Sequence, residues 1–138
     1  MTKQRLAKLT TIAAALLVVL LFTACGSGTK EIRLSASDAS RHIVLRQGQV
    51  LVITLEANPS TGYSWEEAPS QATILRRVGE PVFEASSKST GQLGAAGTET
   101  LRYEATGQGR MALKLVYHRP WEKDVEPLQT FSVDVEVQ

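Results

Sequence analysis

Phe131, Val133, Val135 and Val137 alternate with Ser132, Asp134, Glu136 and Gln138. A period of two over so many residues admits an extended strand with one face on a core, and excludes an amphipathic helix. Met111, Leu113, Leu115 and Tyr117 make a second apolar row, opposed by Lys114 and His118. Leu51, Ile53 and Leu55 make a third, and Val50 and Val52 render that strand apolar on both faces. A strand of that kind is expected to be central and covered on both sides. Leu101 and Tyr103 mark another strand, Ile74, Val78, Val82 and Phe83 lie in one or two more, and Ile32–Leu34 and Ile43–Leu45 are short strands near the start. No stretch carries a convincing helical period.

The count comes to about seven or eight strands, separated by turn signals at Gln47-Gly48, Gly62, Gly79-Glu80-Pro81 and Gly107-Gln108-Gly109. Strands at that spacing predict an all-β fold, an antiparallel sandwich or barrel of immunoglobulin-like form. The Cys–Trp–Cys pattern of true immunoglobulin domains is absent, so the likeness concerns architecture. Ser86 to Gly97, rich in Ser, Thr and Gly, is expected to be a long mobile loop. Neither an internal repeat nor a second domain is visible.

The first 24 residues do not belong to that pattern. Lys3, Arg5 and Lys8 form a positive n-region, and Ile12 to Phe22 is an apolar run of 11 residues. That is the layout of a secretory signal peptide, and it is well short of the ~20 residues that span a bilayer. Thr23-Ala24 precedes Cys25, the one cysteine of the chain. The arrangement resembles a bacterial lipoprotein signal, in which a small residue before Cys directs cleavage and that Cys receives the lipid, although Phe22 stands where such signals usually carry Leu. The resemblance implies a protein exported and lipid-anchored through Cys25 to the bacterial cell envelope, on its periplasmic or outer face. A plain export signal with a stray thiol is the alternative; lipidation would remove a reactive liability. The expected organisation is thus a signal over residues 1–24, a lipidated Cys and tether over 25–30 that includes Gly26-Ser27-Gly28-Thr29, and one domain over 31–138.

Without Lys3, Arg5 and Lys8 the 15 basic residues fall to 12, against 14 acidic ones, a net charge of −2. A near-balanced surface gives no electrostatic case for nucleic acid or for adsorption to anionic lipid. With a single cysteine no internal disulfide forms, so the core alone stabilises the fold in an oxidising location.

Three short segments fall between the strands. In Asn58-Pro59-Ser60-Thr61-Gly62-Tyr63, Pro59 fixes its own φ and pushes Asn58 towards extended backbone, while Gly62 permits the positive φ that closes a turn. Ser60 and Thr61 are left at the tip, with Tyr63 and Trp65 as aromatic anchors at its base. Such a stiff wedge suits a cleft, because its ordering entropy is lost during folding and not on binding; it suits a hairpin turn chosen for geometry equally well. Gly94-Ala95-Ala96-Gly97 allows close backbone approach but lacks the Gly-Lys-Ser/Thr of a phosphate cradle. In Arg119-Pro120-Trp121, Pro120 stiffens the chain beside two residue types common at binding hot spots, and the alternative is a tryptophan folded back to cap the sheet. Glu122, Lys123, Asp124 and Glu126 read as a solvated loop.

Together these segments resemble the chagasin family of cysteine-peptidase inhibitors, which shows Asn-Pro-Thr-Thr-Gly-Tyr, then a Gly-rich loop, then Arg-Pro-Trp, in this order. The resemblance runs from about Ile32 to the C-terminus. Ser60 replaces the first Thr and keeps its hydroxyl; Ala96 stands where many members have Gly. The resemblance implies three loops at one end of the fold, Asn58 to Tyr63, Gly94 to Gly97 and Arg119 to Trp121, forming a wedge in the active-site cleft of a papain-like cysteine peptidase. Thr61 would lie near the catalytic Cys–His pair, the middle loop along one wall, and Trp121 with Arg119 on the other. Inhibition would be reversible and competitive, by a monomer.

An enzyme is not expected, and neither a cofactor nor a metal. His42 and His118 lie on separate strands, no His/Cys/Asp cluster has metal-ligand spacing, and no Ser sits in a nucleophile motif. The competing reading is a non-inhibitory envelope module for binding or structure, since fold alone does not separate the two.

Overall fold

The alternating rows face one another across the gap between two sheets. A computed structural model of the chain describes residues 30–70, 72–87 and 94–138. The signal and lipidation readings, over residues 1–29, and residues 88–93 of the middle connection lie outside the described residues. The strands are β1 (Glu31–Leu34), β2 (His42–Leu45), β3 (Val50–Ala57), β4 (Ser64–Glu67), β5 (Leu75–Arg77), β6 (Val82–Ala85), β7 (Gly97–Ala105), β8 (Gly109–His118) and β9 (Gln129–Val137). One sheet runs β1-β3-β7-β5, with β6 also paired to β7; the other runs β2-β9-β8-β4.

Register sets the core. Along β8 and β9, Met111 pairs with Val135, Leu113 with Val133 and Leu115 with Phe131. Along β3 and β7, Leu51 pairs with Tyr103 and Ile53 with Leu101. All of these side chains are buried, together with Leu34, Ile43, Leu45, Trp65 and Tyr117. The inward rows are those the alternation identifies, because a shift by one residue would turn every one of them to solvent.

The fold is all-β, and it departs from expectation in three places. Both sheets are mixed and not purely antiparallel: β1 is parallel to β3, and β2 is parallel to β9. The cause is the seven-residue passage between β1 and β2. Its 3₁₀ turn (Ala36–Asp38) is closed by Ser35 and Asp38, with the Ser35 amide donating to Asp38 Oδ2 at 2.8 Å. There the chain crosses from one sheet to the other, so each short strand joins an edge next to a strand distant in sequence. Secondly, β4 carries a single buried residue, Trp65, and one apolar position cannot display a period. Thirdly, Gly97 opens β7 and is not part of the preceding loop. A Cβ there would overlap the Glu84 carbonyl oxygen and lie 2.8 Å from Ala85 Cα, so the glycine lets β6 and β7 pair.

β3 is central, between β1 and β7. Its outer-face Val52 is 1% exposed and sits in register between Arg33 and Arg102. Both guanidinium groups converge on Glu31, at 2.6 and 2.7 Å, which lays their aliphatic stems beside the valine.

Two inward positions of β7 are polar. The Tyr103 hydroxyl has no hydrogen-bond partner among the described residues, and burial, with the Glu67 charge adding, pushes its phenol up to about 12. Glu99, 7% exposed, has its carboxyl raised above 4.5 by burial, partly offset by a hydrogen bond from the Trp65 backbone N–H and by Arg77. A folded-state value raised above the unfolded one means that the native chain binds the extra proton. This contribution to stability is full below the unfolded value and is lost as pH rises through the folded one. Glu99→Gln keeps an acceptor for Trp65 and removes the charge. It should therefore raise the thermal midpoint at pH 8 and leave it almost unchanged at pH 4, as differential scanning calorimetry at the two pH values would show.

Candidate functional site

Antiparallel pairing brings strand ends together. At one pole Ala57, the end of β3, pairs with Gly97, the start of β7, and Ser64, the start of β4, pairs with His118, the end of β8. The connections 58–63, 86–96 and 119–128 therefore all leave from the same pole. The three segments named from the sequence are brought into direct contact there.

Asn58 is the hub. Its backbone N–H donates to the Tyr117 hydroxyl at 2.7 Å. Its carbonyl accepts the Thr61 amide at 3.1 Å and the Thr61 hydroxyl at 2.6 Å. Its side chain accepts from Ser60 Oγ at 2.6 Å and donates through Nδ2 to the Gly94 carbonyl at 3.1 Å. Pro59–Thr61 form a 3₁₀ turn with Pro at its start, closed by Gly62 at φ +80 and a hydrogen bond from the Gly62 amide to the Pro59 carbonyl at 3.0 Å. A Cβ on Gly62 would overlap Cη2 of the Trp121 indole and lie 2.9 Å from Cζ2. Glycine here thus meets two demands, a left-handed backbone and close approach of a ring.

Arg119 joins the first segment to the third. Its Nε donates to the Thr61 carbonyl at 3.0 Å, a terminal nitrogen binds Glu122 Oε1 at 3.0 Å, and its guanidinium carbon lies 4.5 Å from the centroid of the Tyr63 ring. Tyr63 stacks on Tyr117 at 5.3 Å, and Tyr117 lies 5.1 Å from Trp65. The ladder Arg119–Tyr63–Tyr117–Trp65 runs from the rim into the core. Its last member is tied to β3 by the indole N–H, which donates to the Glu56 carbonyl at 2.9 Å.

Pro59, Ser60, Thr61, Pro120 and Trp121 remain exposed on this pole. Trp121 keeps 66% of its surface open, so it does not fold back to cap a sheet. Arg119 is half-buried, and its Nε and one terminal nitrogen are engaged within the chain, so it also braces the loops. In the middle segment Gly94 is exposed and bonded to Asn58, Ala95 is half-buried, and Ala96 is exposed with its carbonyl accepting the Ser86 amide at 3.1 Å. Gly97 is buried against β6 and does not reach the tip.

The chemistry of this pole is that of contact. The Ser60 and Thr61 hydroxyls donate to Asn58, and neither gives its proton to a base. His118 is paired with Glu66 at 3.0 Å. Among the described residues no three His, Cys, Asp or Glu side chains are grouped to hold a metal ion. Sequence reasoning took Tyr117 for a core residue and Glu122 for a solvated one; the first is the acceptor that fixes Asn58, the second the acceptor that fixes Arg119. The spacing of Arg119 and Glu122, three apart, was the one available signal for the latter.

Residues 44–135 match the chagasin family of peptidase inhibitors. Amoebiasin-1 of Entamoeba histolytica is 32% identical over 96 residues, which cover 70% of this chain and 89% of that one. Amoebiasin-2 of the same organism is 31% identical over 90 residues, covering 64% and 71%. The crystal structure of a cysteine protease inhibitor from Entamoeba histolytica superposes with a TM-score of 0.69, covering 82% of this chain and all (100%) of that one at 24% identity, which shows a shared fold.

Tyr117→Phe keeps the ring stack and removes the acceptor, leaving a half-buried Asn58 N–H unpaired. The expected cost is about 1–3 kcal/mol, measured as a lower urea midpoint at unchanged slope. A midpoint equal to that of the parent would show that Asn58 finds another acceptor.

Proposed function

The chain belongs to the chagasin family of peptidase inhibitors, and on that premise we propose that it is a reversible, competitive inhibitor of papain-like cysteine peptidases. The observation that carries this reading is the junction of three distant segments by the hydrogen bonds Arg119–Thr61 and Asn58–Gly94 and by the Gly62–Trp121 contact. Together they expose a short turn flanked by an open indole.

The turn enters the cleft with its tip, Ser60-Thr61, towards the partner's catalytic thiol. It obstructs and is not cut, because the carbonyls of Asn58, Pro59 and Thr61 are already held by donors of its own chain and the backbone has no slack to follow a tetrahedral intermediate. Association then costs little ordering of the loops, which favours affinity from a modest contact area. The Trp121 ring rests on one wall of the cleft and Gly94-Ala95-Ala96 on the other. The protein acts as a monomer, one molecule per peptidase.

Residues 1–24 serve as the export signal, Cys25 carries the lipid, and residues 26–30 tether the domain to the bacterial cell envelope. The sequence pattern of n-region, apolar run and small residues before Cys25 supports this. Each CH₂ of an acyl chain contributes ~0.8 kcal/mol in the bilayer, so several chains on one residue give firm attachment.

Titration of papain with residues 25–138 should remove activity linearly to a one-to-one end point, with recovery on dilution and competition by substrate, while trypsin keeps its full rate. Thr61→Asp places an unpaired charge in a dry cleft and should abolish most of the affinity. Trp121→Ala should cost about 2 kcal/mol, roughly 30-fold in the inhibition constant. Loss of inhibition with neither substitution would reject these residues as the contact surface.

A further inference from the structure

The topology fixes where the chain enters the domain. β1 is parallel to β3 with Glu31 beside Val50 and Leu34 beside Ile53, and β3 runs from Val50 to the rim at Ala57. The start of β1 therefore lies at the pole opposite the rim. The same pole holds the turns 46–49 and 106–109, tied by the Gly48 amide to the Ala105 carbonyl at 2.7 Å and by Gln47 Nε2 to the Thr106 carbonyl at 2.9 Å. Gln138 is fixed there as well, its amide donating to the Leu45 carbonyl at 2.9 Å. An eight-residue strand at about 3.3 Å per residue puts roughly 26 Å between that pole and the rim loops.

We infer that the protein inhibits while it is held at a surface: attachment at the N-terminal side presents the rim away from the bilayer, to peptidases free in the aqueous phase. The inference rests on the lipid-anchor reading for the attachment and on the inhibitor reading for its consequence; the pole at which β1 begins is independent of both. The attachment pole is suited to lie near lipid head groups. Its two turns carry Arg46 and no carboxylate. Three neighbouring side-chain carboxylates are paired with arginines: Glu31 with Arg33 and Arg102, Glu136 with Arg110 at 2.9 Å, and Glu104 with Arg76. No acidic group of the turns has to be pressed against an anionic surface. The orientation also selects the partner. A soluble peptidase reaches the rim without obstruction, whereas one whose cleft faces the same membrane at close range does not.

The single cysteine makes the test direct. Residues 25–138 are coupled through the Cys25 thiol to vesicles of phosphatidylcholine containing a maleimide lipid and a dansyl head-group lipid. A Cys25→Ser, Lys123→Cys variant is coupled in the same way through exposed Lys123, beside Trp121. The Cys25-coupled protein should inhibit added papain within about threefold of the free protein, and the variant should lose roughly 30-fold or more on coupling. Energy transfer to dansyl from Trp121, and from Trp65, which pairs with Tyr117 near the rim, should be weak in the first and strong in the second. Equal transfer, or equal loss of inhibition on coupling through Cys25, would overturn the orientation. Should the free protein fail to inhibit, the inhibitor reading fails, and energy transfer alone still decides which pole faces the lipid.

Discussion

The Tyr117 side chain is the point at which core and rim become one structure. Its ring lies between Tyr63 and Trp65, and its hydroxyl accepts the backbone N–H of Asn58. A buried hydroxyl with a partner has one low-energy position, so the start of the 58–63 turn inherits the placement of a core side chain. From Asn58 the order propagates. Its carbonyl holds Thr61, its side chain holds Ser60 and reaches Gly94, and Thr61 in turn receives Arg119. No one of these bonds is strong, at about 0.5–1.5 kcal/mol net, but each fixes a residue that the next one needs.

That economy explains a division of labour among residues that look alike in sequence. Arg119 and Trp121 are both hot-spot types, yet the arginine is bonded internally to Thr61 and Glu122 and lies over Tyr63, while the tryptophan stands open with an edge on Gly62. A guanidinium stacked on an aromatic ring and bonded on two sides is a brace. An indole that is two-thirds exposed is free to meet a partner. For an inhibitor that fills a cleft as proposed, the braces matter as much as the contacts, since a turn that could relax would bind less tightly and could be cut.

Much of this was legible before any coordinates. The β8 and β9 rows, the inward face of β3, the positive φ at Gly62 and the Pro-stiffened tip all follow from local rules, because periodicity and glycine or proline chemistry act within a few residues. Four features were not. β4 has one inward residue, so Trp65 looked like part of a loop. The parallel placement of β1 and β2 depends on a crossover between sheets, which no local pattern encodes. The roles of Tyr117 and Glu122 arise from contacts made by the fold: Tyr117 continues an alternating row like any core residue, and its hydroxyl becomes informative only once Asn58, 59 positions away in sequence, is seen to lie beside it. The Gly94-Ala95-Ala96-Gly97 segment was read as a unit, and the structure divides it: Gly94 meets the first loop and Gly97 meets β6.

The central claim is that the rim is preformed and engages its partner as one body. Amide hydrogen exchange on the free protein and on its mixture with papain tests this most directly. The account predicts that the Asn58, Thr61, Gly62 and Glu122 amides, all hydrogen-bonded within the chain, are already protected in the free protein. Protection of segments 58–63 and 119–122 should then rise together on adding the peptidase, with the turns 46–49 and 106–109 unchanged. Rim amides that exchange at the rate of an unstructured peptide until the peptidase is added, or new protection confined to the opposite pole, would contradict it.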